Sequence, residues 1–556
     1  MENNVHVNGV KGLKKRKVGM WGIVFLMYCL VAAGCFGMEE IIAESGPGLT
    51  LILLVVFPVV WAYPISNICA ECAAILPEEG GNYVWVKKAF GEFWGFQSGW
   101  FGTVSCYVTN GIYVALVADY ASQVLSFSTV TENVLKYGMI IIFTAVNLMG
   151  IGEVGKVSTF FSVTIMLAFG LVAIVGLLNW QTNPLEPIMP EGYTLIDGLG
   201  AGICYCIWMY CGYESISTMT GEIEDPSQVP KGLKLVMPIM AISYFLPTLA
   251  ALASMPAGSW ADWSTGVNAD GSSMGYATVL TTYLGQGWGY VFLVVAIFSQ
   301  CSMFNSYLAS GSRGFFVLGD DNLCPRFLVK VSKKRGVPHI AILTLSGVTC
   351  ILCQFDFTTL VMTEVVFILA MYLTLFVAVI KLRKMYPVEE RKKQGLYYIK
   401  GGRAGLYYCA VFPIIITVIA FLVNGTDYFF VGMIAMFSGP AAYIIFKKIY
   451  GGLYKVDPEK HPINVKTGLA FGDTARIGLF CFMAGMFSFL AQFWFRWYEV
   501  DYGGWEASDY DAFGSIIPQI MDGLLWGGLA VAVIGIILMI YSRKLETEEN
   551  KSGKDR

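Results

Sequence analysis

Ala32-Ala33-Gly34-Cys35-Phe36-Gly37 interrupts the first long apolar run of the chain, and Tyr210-Cys211-Gly212-Tyr213 interrupts the sixth. Each lies where a stretch of lipid-crossing length should continue unbroken. Unwinding a helix there frees backbone N–H and C=O groups, which in hydrocarbon must be satisfied by substrate, ion or neighbouring protein. Gly34 and Gly212 fall in the opening helices of two successive sets of five spans. Paired interruptions at corresponding places in two halves point to an inverted-repeat transporter with its site at the bilayer midplane. A glycine in a membrane helix also serves close packing, so the pair carries the reading and neither glycine does so alone.

Working outward, apolar stretches long enough to cross a bilayer number fourteen. They run 20–43, 50–76, 92–124, 135–151, 157–179, 196–220, 233–254, 288–319, 338–356, 358–386, 405–424, 427–449, 476–498 and 518–541. The chain thus divides into an N-terminal tail (1–19), a ten-span core (20–386), a loop (387–404), four further spans (405–541) and a C-terminal tail (542–556). An even count puts both tails on one side. With that side cytoplasmic, the outer loops and the helix ends beside them hold only Lys136 and Arg496 among the basic residues, as the positive-inside rule requires. The outer loops are acidic instead, with Glu186, Glu191, Asp197, Asp262, Asp270, Glu499, Asp501, Glu506, Asp509 and Asp511. They either mirror the basic loops or form a weak funnel for cations. Loops 320–337 and 387–404, the latter with Arg391, Lys392 and Lys393, read as solvated segments facing lipid head groups.

Composition agrees. In 556 residues, 56% are hydrophobic and only 14% charged, against about a quarter in soluble chains. The mean hydropathy of +0.60 is that of a multi-pass protein of the cell membrane. A net charge of −3 offers no basic patch for a phosphate backbone, so nucleic acid is excluded as a partner and the lipid bilayer takes its place. His6, His339 and His461 are too few for haem or a histidine metal centre, and no cofactor or metal is expected. Cys69/Cys72 and Cys350/Cys353 lie inside apolar runs and read as packing. Basic residues Lys11 to Lys17 precede a first apolar run too long for a signal peptide, so that run is expected to stay in the protein. Gly150-Ile-Gly-Glu-Val-Gly155 has no strand before it and is not a dinucleotide site, and no phosphate-binding Gly-Lys-Ser/Thr loop exists. The chain is expected to be neither an enzyme nor an ATP-driven pump.

Carboxylates inside the spans are the second signal, since a buried charge persists mostly where it has a partner or a task. Glu39 and Glu40 follow the first break, Glu214 follows the second, Asp119 is read as deep in the third span, and Glu364 lies in the tenth. No Lys or Arg is read at comparable depth, so protons or a cationic substrate are expected to supply the counter-charge. For each acid singly, a hydrogen bond to a neighbouring helix end is the alternative. Trp208, one turn before Gly212, is either a gate over a bound cation or an ordinary packed aromatic.

Gly34-Cys-Phe-Gly-Met-Glu-Glu40, Ala70-Glu-Cys-Ala-Ala-Ile-Leu-Pro-Glu-Glu-Gly-Gly-Asn-Tyr-Val-Trp85 and Ala89-Phe-Gly-Glu-Phe-Trp-Gly-Phe-Gln-Ser-Gly-Trp100 resemble the amino acid-polyamine-organocation superfamily. Tyr213-Glu-Ser-Ile-Ser-Thr-Met-Thr-Gly-Glu-Ile-Glu-Asp-Pro226, Val229-Pro-Lys-Gly232, Asp119-Tyr120 and Thr363-Glu364 are similar to its polyamine-uptake branch. The resemblance covers about residues 20 to 450 and implies a LeuT-like fold: spans 1–5 and 6–10 as inverted repeats, then four additional helices, with alternating access around a central site. In the arginine/agmatine antiporters of this superfamily a tryptophan gates and a glutamate six residues later switches with protons, the spacing of Trp208 and Glu214. Three departures stand: Ala32-Ala33-Gly34 replaces Gly-Ser-Gly, the fifth span lacks a lysine near Ile165, and spans 13 and 14 exceed the usual twelve.

The expected function is secondary transport of polyamines or amino acids, cationic ones favoured, coupled to protons or alternatively to sodium. Ala33, Gly34, Glu39, Glu40, Asp119, Trp208, Tyr210 and Gly212 are the expected substrate-binding residues, and Glu214 and Glu364 the proton-coupling ones. An exchanger of an amino acid for its amine, and a transporter-like sensor or channel with little flux, are the alternatives.

Overall fold

The computed structural model describes residues 4–7, 10–14, 19–31, 34–124, 128–267, 274–502 and 514–554. A short antiparallel hairpin, β1 (Asn4–Val7) and β2 (Val10–Lys14), precedes a chain that is otherwise helical. Of the expected outer acids, Asp270, Glu506, Asp509 and Asp511 fall outside the described residues, as does Ala33.

Among the described residues eleven helices are long and apolar enough to cross a membrane. Three shorter apolar helices, α1 (Met20–Val31), α8 (Leu195–Met209) and α12 (His339–Leu352), stand at the expected spans 20–43, 196–220 and 338–356. The first two are short because they break where the glycines predict. The chain resumes as α2 (Met38–Ser45) after the first break and as a 3₁₀ segment, Ser215–Glu222, after the second. The remaining core helices are α3 (Pro47–Phe57, running on to Ile75), α4 (Asn82–Phe90), α5 (Glu92–Ser122), α6 (Thr129–Met149), α7 (Ile151–Leu178), α9 (Gln228–Ser254), α10 (Tyr276–Leu284), α11 (Gln286–Asp320) and α13 (Phe357–Met385). After the core come α14 (Val388–Lys393), α15 (Gly402–Val423), α16 (Thr426–Tyr450), α17 (Asp473–Phe495) and α18 (Ile517–Lys554).

Burial sorts these helices. α5 is the axis, its apolar stretch 83% buried against α11 and α13, whereas α18 is 22% buried. α17 and α18 pack chiefly on each other, with Gly478 against Gly535 and Gly485 against Gly528. A methyl group at any of these four would overlap the opposite backbone, the close approach by which lipid-embedded helices associate without a hydrophobic drive.

Buried ion pairs tie the basic end of the bundle together. Glu71 of α3 accepts from Arg383 and from Arg391 Nη2 (2.8 Å), and Lys447 bonds Glu92 at 2.6 Å. Asp321 meets Lys87 and Tyr83. Asp473 meets Tyr443 and, at 2.8 Å, Arg476. This corrects two expectations. Arg391, expected on a solvated loop face, is buried against Glu71, because the loop folds back so that its guanidinium and Ile399 N both donate to that buried carboxylate. Cations also occur inside the spans: Arg313 of α11 is 1% exposed and donates to Ala309 O at 2.7 Å, and Lys136 and Lys447 are buried as well. At the other end, Asp197 caps α8 through Thr194 N (2.7 Å) and Glu499 caps α16 through Thr426 N (2.9 Å), so these two acids, expected in outer loops, serve helix ends.

Candidate functional site: the two helix breaks

The breaks form because glycine alone tolerates their backbone. Gly34 (φ +99°), Gly37 (φ +85°) and Gly212 (φ +95°) occupy the left-handed region, where a side chain is strained. They also fill tight space. A Cβ on Gly212 would overlap Leu30 O and Tyr307 Oη, and one on Gly37 would press on the rings of Trp208 and Phe357 at 3.0 and 3.1 Å. The break after α1 and the break after α8 therefore lie against each other, with Trp208 over the first. Gly34 faces Phe169 and Ile165 of α7.

Tyrosines from other helices take up the freed polar groups. Tyr244 Oη of α9 lies 3.2 Å from Val31 O and 2.9 Å from Met209 O, so one hydroxyl shares its proton between the last residues of α1 and α8. Beyond each break the sequence Gly-x-Glu recurs, as Gly37-Met-Glu39 and Gly212-Tyr-Glu214, and both copies use the same device. Gly37 N donates to Tyr120 Oη at 2.9 Å, which donates to Glu39 Oε2 at 3.1 Å. Gly212 N donates to Tyr372 Oη at 3.4 Å, which donates to Glu214. In each relay a tyrosine links the amide of the unwound turn to a buried carboxylate.

Around the centre stand aromatic rings and a third acid. Trp208 meets Phe357 edge-on at 5.5 Å and Tyr113 at 6.4 Å, and Tyr113 meets Tyr307 at 5.5 Å. Trp208 is 6% exposed, and its indole N–H has no acceptor among the described residues. Glu364 Oε1 accepts from Ser105 (2.6 Å) and Thr109 (3.2 Å) of α5, while its buried Oε2 has no described partner. A one-water cavity of about 20 Å³ touches Glu214 and is bordered by Thr103, Cys106, Thr218 and Ser310. It reaches Asn82 and Tyr83, whose hydroxyl bonds Asp321 beside Lys87 at the basic end. The 3₁₀ segment holds this wall, with Thr218 Oγ1 and Ser310 Oγ 3.0 Å apart and Ser310 Oγ donating to Ser215 O at 3.1 Å.

A family model described as amino acid permease matches residues 18–444. The chain belongs to that family. A probable polyamine transporter of Arabidopsis thaliana is 29% identical over 72% of this permease and 78% of its own length. Polyamine transporter PUT1 of Oryza sativa subsp. japonica is 28% identical over 63% and 64%. The permease also shares its fold with MhsT, crystallised in complex with L-phenylalanine, at a TM-score of 0.54 and 12% identity, covering 74% of this chain and all of that one. It is thus a multi-pass membrane transporter with the LeuT-like arrangement, and its family is one of transporters, not enzymes.

Within the permease the expected site residues separate into groups. Gly34, Glu39, Trp208, Gly212, Glu214 and Glu364 gather at the breaks as described. Tyr210 braces them, its ring on Tyr244 at 5.0 Å and its hydroxyl 3.4 Å from Leu54 O. Glu40 turns outward, and its Oε1 accepts from Thr265 N (2.9 Å) and Thr265 Oγ1 (2.8 Å), fastening the segment that follows Trp263. Asp119 corrects the expectation of depth: it is half-buried one turn from the C-terminal end of α5, near Gly266, because α5 stops at Ser122. Tyr120, Tyr244 and Tyr372 were not legible as site residues, since a tyrosine in an apolar span reads as core. The one sequence signal available was the repeated Gly-x-Glu, which calls for a donor near each break.

Proposed function

We propose that this permease is a proton-coupled secondary transporter of cationic amines, polyamines ahead of amino acids, working by alternating access around the two breaks in the cell membrane with both termini cytoplasmic. One observation carries the reading: Glu39, Glu214 and Glu364 are buried at the centre with hydroxyl and amide partners, and no Lys or Arg is paired with them among the described residues. Three carboxylates in so dry a place need a positive charge from outside the fold, and an ammonium group or a proton supplies it. The names of the relatives favour polyamines. In this reading Glu39 and Glu364, with its open Oε2, meet substrate ammonium groups between the rings of Trp208, Tyr113 and Tyr307. Glu214 exchanges a proton through the small cavity toward Tyr83, and Asp119 meets cations at the outer entrance. Trp208 leaving Gly37 opens the outer path, and movement of the 3₁₀ segment opens the inner one.

Uptake of labelled putrescine, spermidine, arginine and neutral amino acids into proteoliposomes, with and without a pH gradient, tests the proposal. Saturable diamine uptake driven by an inward proton gradient is expected. Flux that needs counter-substrate would make the protein an exchanger, flux that follows a sodium gradient would replace the coupling ion, and no saturable flux of any of them would make it a sensor.

A further inference from the structure

Where α13 ends and α15 begins, the chain folds back around a cavity of about 400 Å³. Four cations line it, Arg383, Lys392, Lys400 and Arg403, against one carboxylate, Glu389. Two of the four are already matched, Arg383 by the buried Glu71 and Lys392 by Glu389 at 3.1 Å. Lys400 and Arg403 are exposed and have no ion-pair partner among the described residues.

The wall that carries this surplus charge is held rigidly from behind. Arg383 Nη1 donates to Gly402 O at 3.0 Å and Nη2 to Ile399 O at 3.1 Å, while Ile399 N donates to Glu71 Oε2 at 2.7 Å. The buried ion-pair cluster thus fixes the backbone on both sides of Lys400. The first residues of α15 also border the cavity, and their unbonded amides add the positive end of a 22-residue helix to the two side chains. α13 and α15 are both long and apolar enough to cross a membrane, and the cavity lies where one ends and the other begins, on the basic side of the bundle, which is where lipid head groups would meet it.

We infer that this cavity binds a phosphate-bearing anion, the chemistry shared by an anionic lipid head group and a free phosphorylated solute. It is separate from the breaks, and the inference does not rest on the transport proposal. A phosphate has the charge that the unmatched Lys400 and Arg403 lack, and accepts from a guanidinium fork and from helix-end amides together.

The test uses the full-length purified protein and its thermal melting with three probes: a short-chain phosphatidylinositol bisphosphate, inositol trisphosphate and inorganic phosphate. The lipid probe should stabilise the protein saturably. Lys400→Glu with Arg403→Glu, both exposed, should weaken that response at least about 10-fold, while Lys333→Glu with Lys334→Glu, exposed on another basic loop, should leave it within about 2-fold. Stabilisation by the lipid alone assigns the site to a head group, and stabilisation by inositol trisphosphate as well extends it to a soluble ligand. No response to any probe, or equal weakening by both pairs of substitutions, overturns the inference.

Discussion

Two sets of buried carboxylates divide this permease. At the basic end, Glu71, Glu92, Asp321 and Asp473 each face a Lys or Arg that the fold itself provides. At the centre, Glu39, Glu214 and Glu364 face only hydroxyls and amides among the described residues. Both sets are out of water, so both incur the desolvation cost of a charge, but only the first recovers it within the folded chain. The first set therefore belongs to stability, and the second is the set that the proposed function assigns to substrate and proton. Two of the central acids also mark the breaks themselves, Glu39 and Glu214 each standing two residues past a left-handed glycine.

Breaking a pair at the basic end should have the largest effect. Lys447→Met leaves Glu92 charged and buried, and is expected to cost about 3 to 5 kcal/mol, read as a lower melting temperature and poor yield of folded protein. Glu214→Gln should do the opposite, melting close to wild type; equal destabilisation by the two would erase the distinction drawn here. Next in size is Gly212→Ala. It places a methyl against Leu30 O at a backbone angle that favours glycine, and uptake should fall roughly 100-fold while the protein remains in the membrane fraction. Uptake near wild type would mean that the two breaks are not held together.

For Glu214→Gln itself, the hydrogen bond with Tyr372 can persist while the titration is lost. Uptake should become insensitive to pH with binding largely kept, and an unchanged pH profile would return Glu214 to a structural bridge. The smallest effect belongs to Trp208→Leu. The ring meets Phe357 edge-on and covers Gly37 without a hydrogen bond to lose, so transport should drop about 3- to 10-fold, and more than equilibrium binding does. Equal loss of binding and stability would make it plain packing.

Much of this was readable from the residues because lipid leaves few options. The two glycine interruptions, the spans around them and the acids beside them follow from hydropathy and from the cost of charge in hydrocarbon, and the breaks occur where Gly34 and Gly212 stand. What escaped was partnership. Nothing in the spacing says that Arg391 reaches Glu71 across 320 residues, or that Tyr244 serves two helix ends, because such contacts depend on how helices distant in sequence are set side by side. Glu39 and Glu40 were read alike, yet successive residues of a helix point about 100° apart, so one turns to the centre and the other to the outer loop. Asp119 misled for a related reason, since an apolar stretch was counted to 124 while the helix gives way to a turn after Ser122.

The 3₁₀ segment after the second break has a mechanical meaning of its own. Its eight residues, Ser215–Glu222, rise about 2.0 Å each and so extend about 16 Å, where an α-helix of the same residues would extend about 12 Å. Recoiling into α-geometry would therefore withdraw about 4 Å of length from the wall of the inner cavity, and would rotate Thr218 away from Ser310 as it did so. Under the proposed alternating access, a segment with these two lengths open to it would act as a ratchet pawl anchored at Glu214, the residue on which the proton is proposed to land.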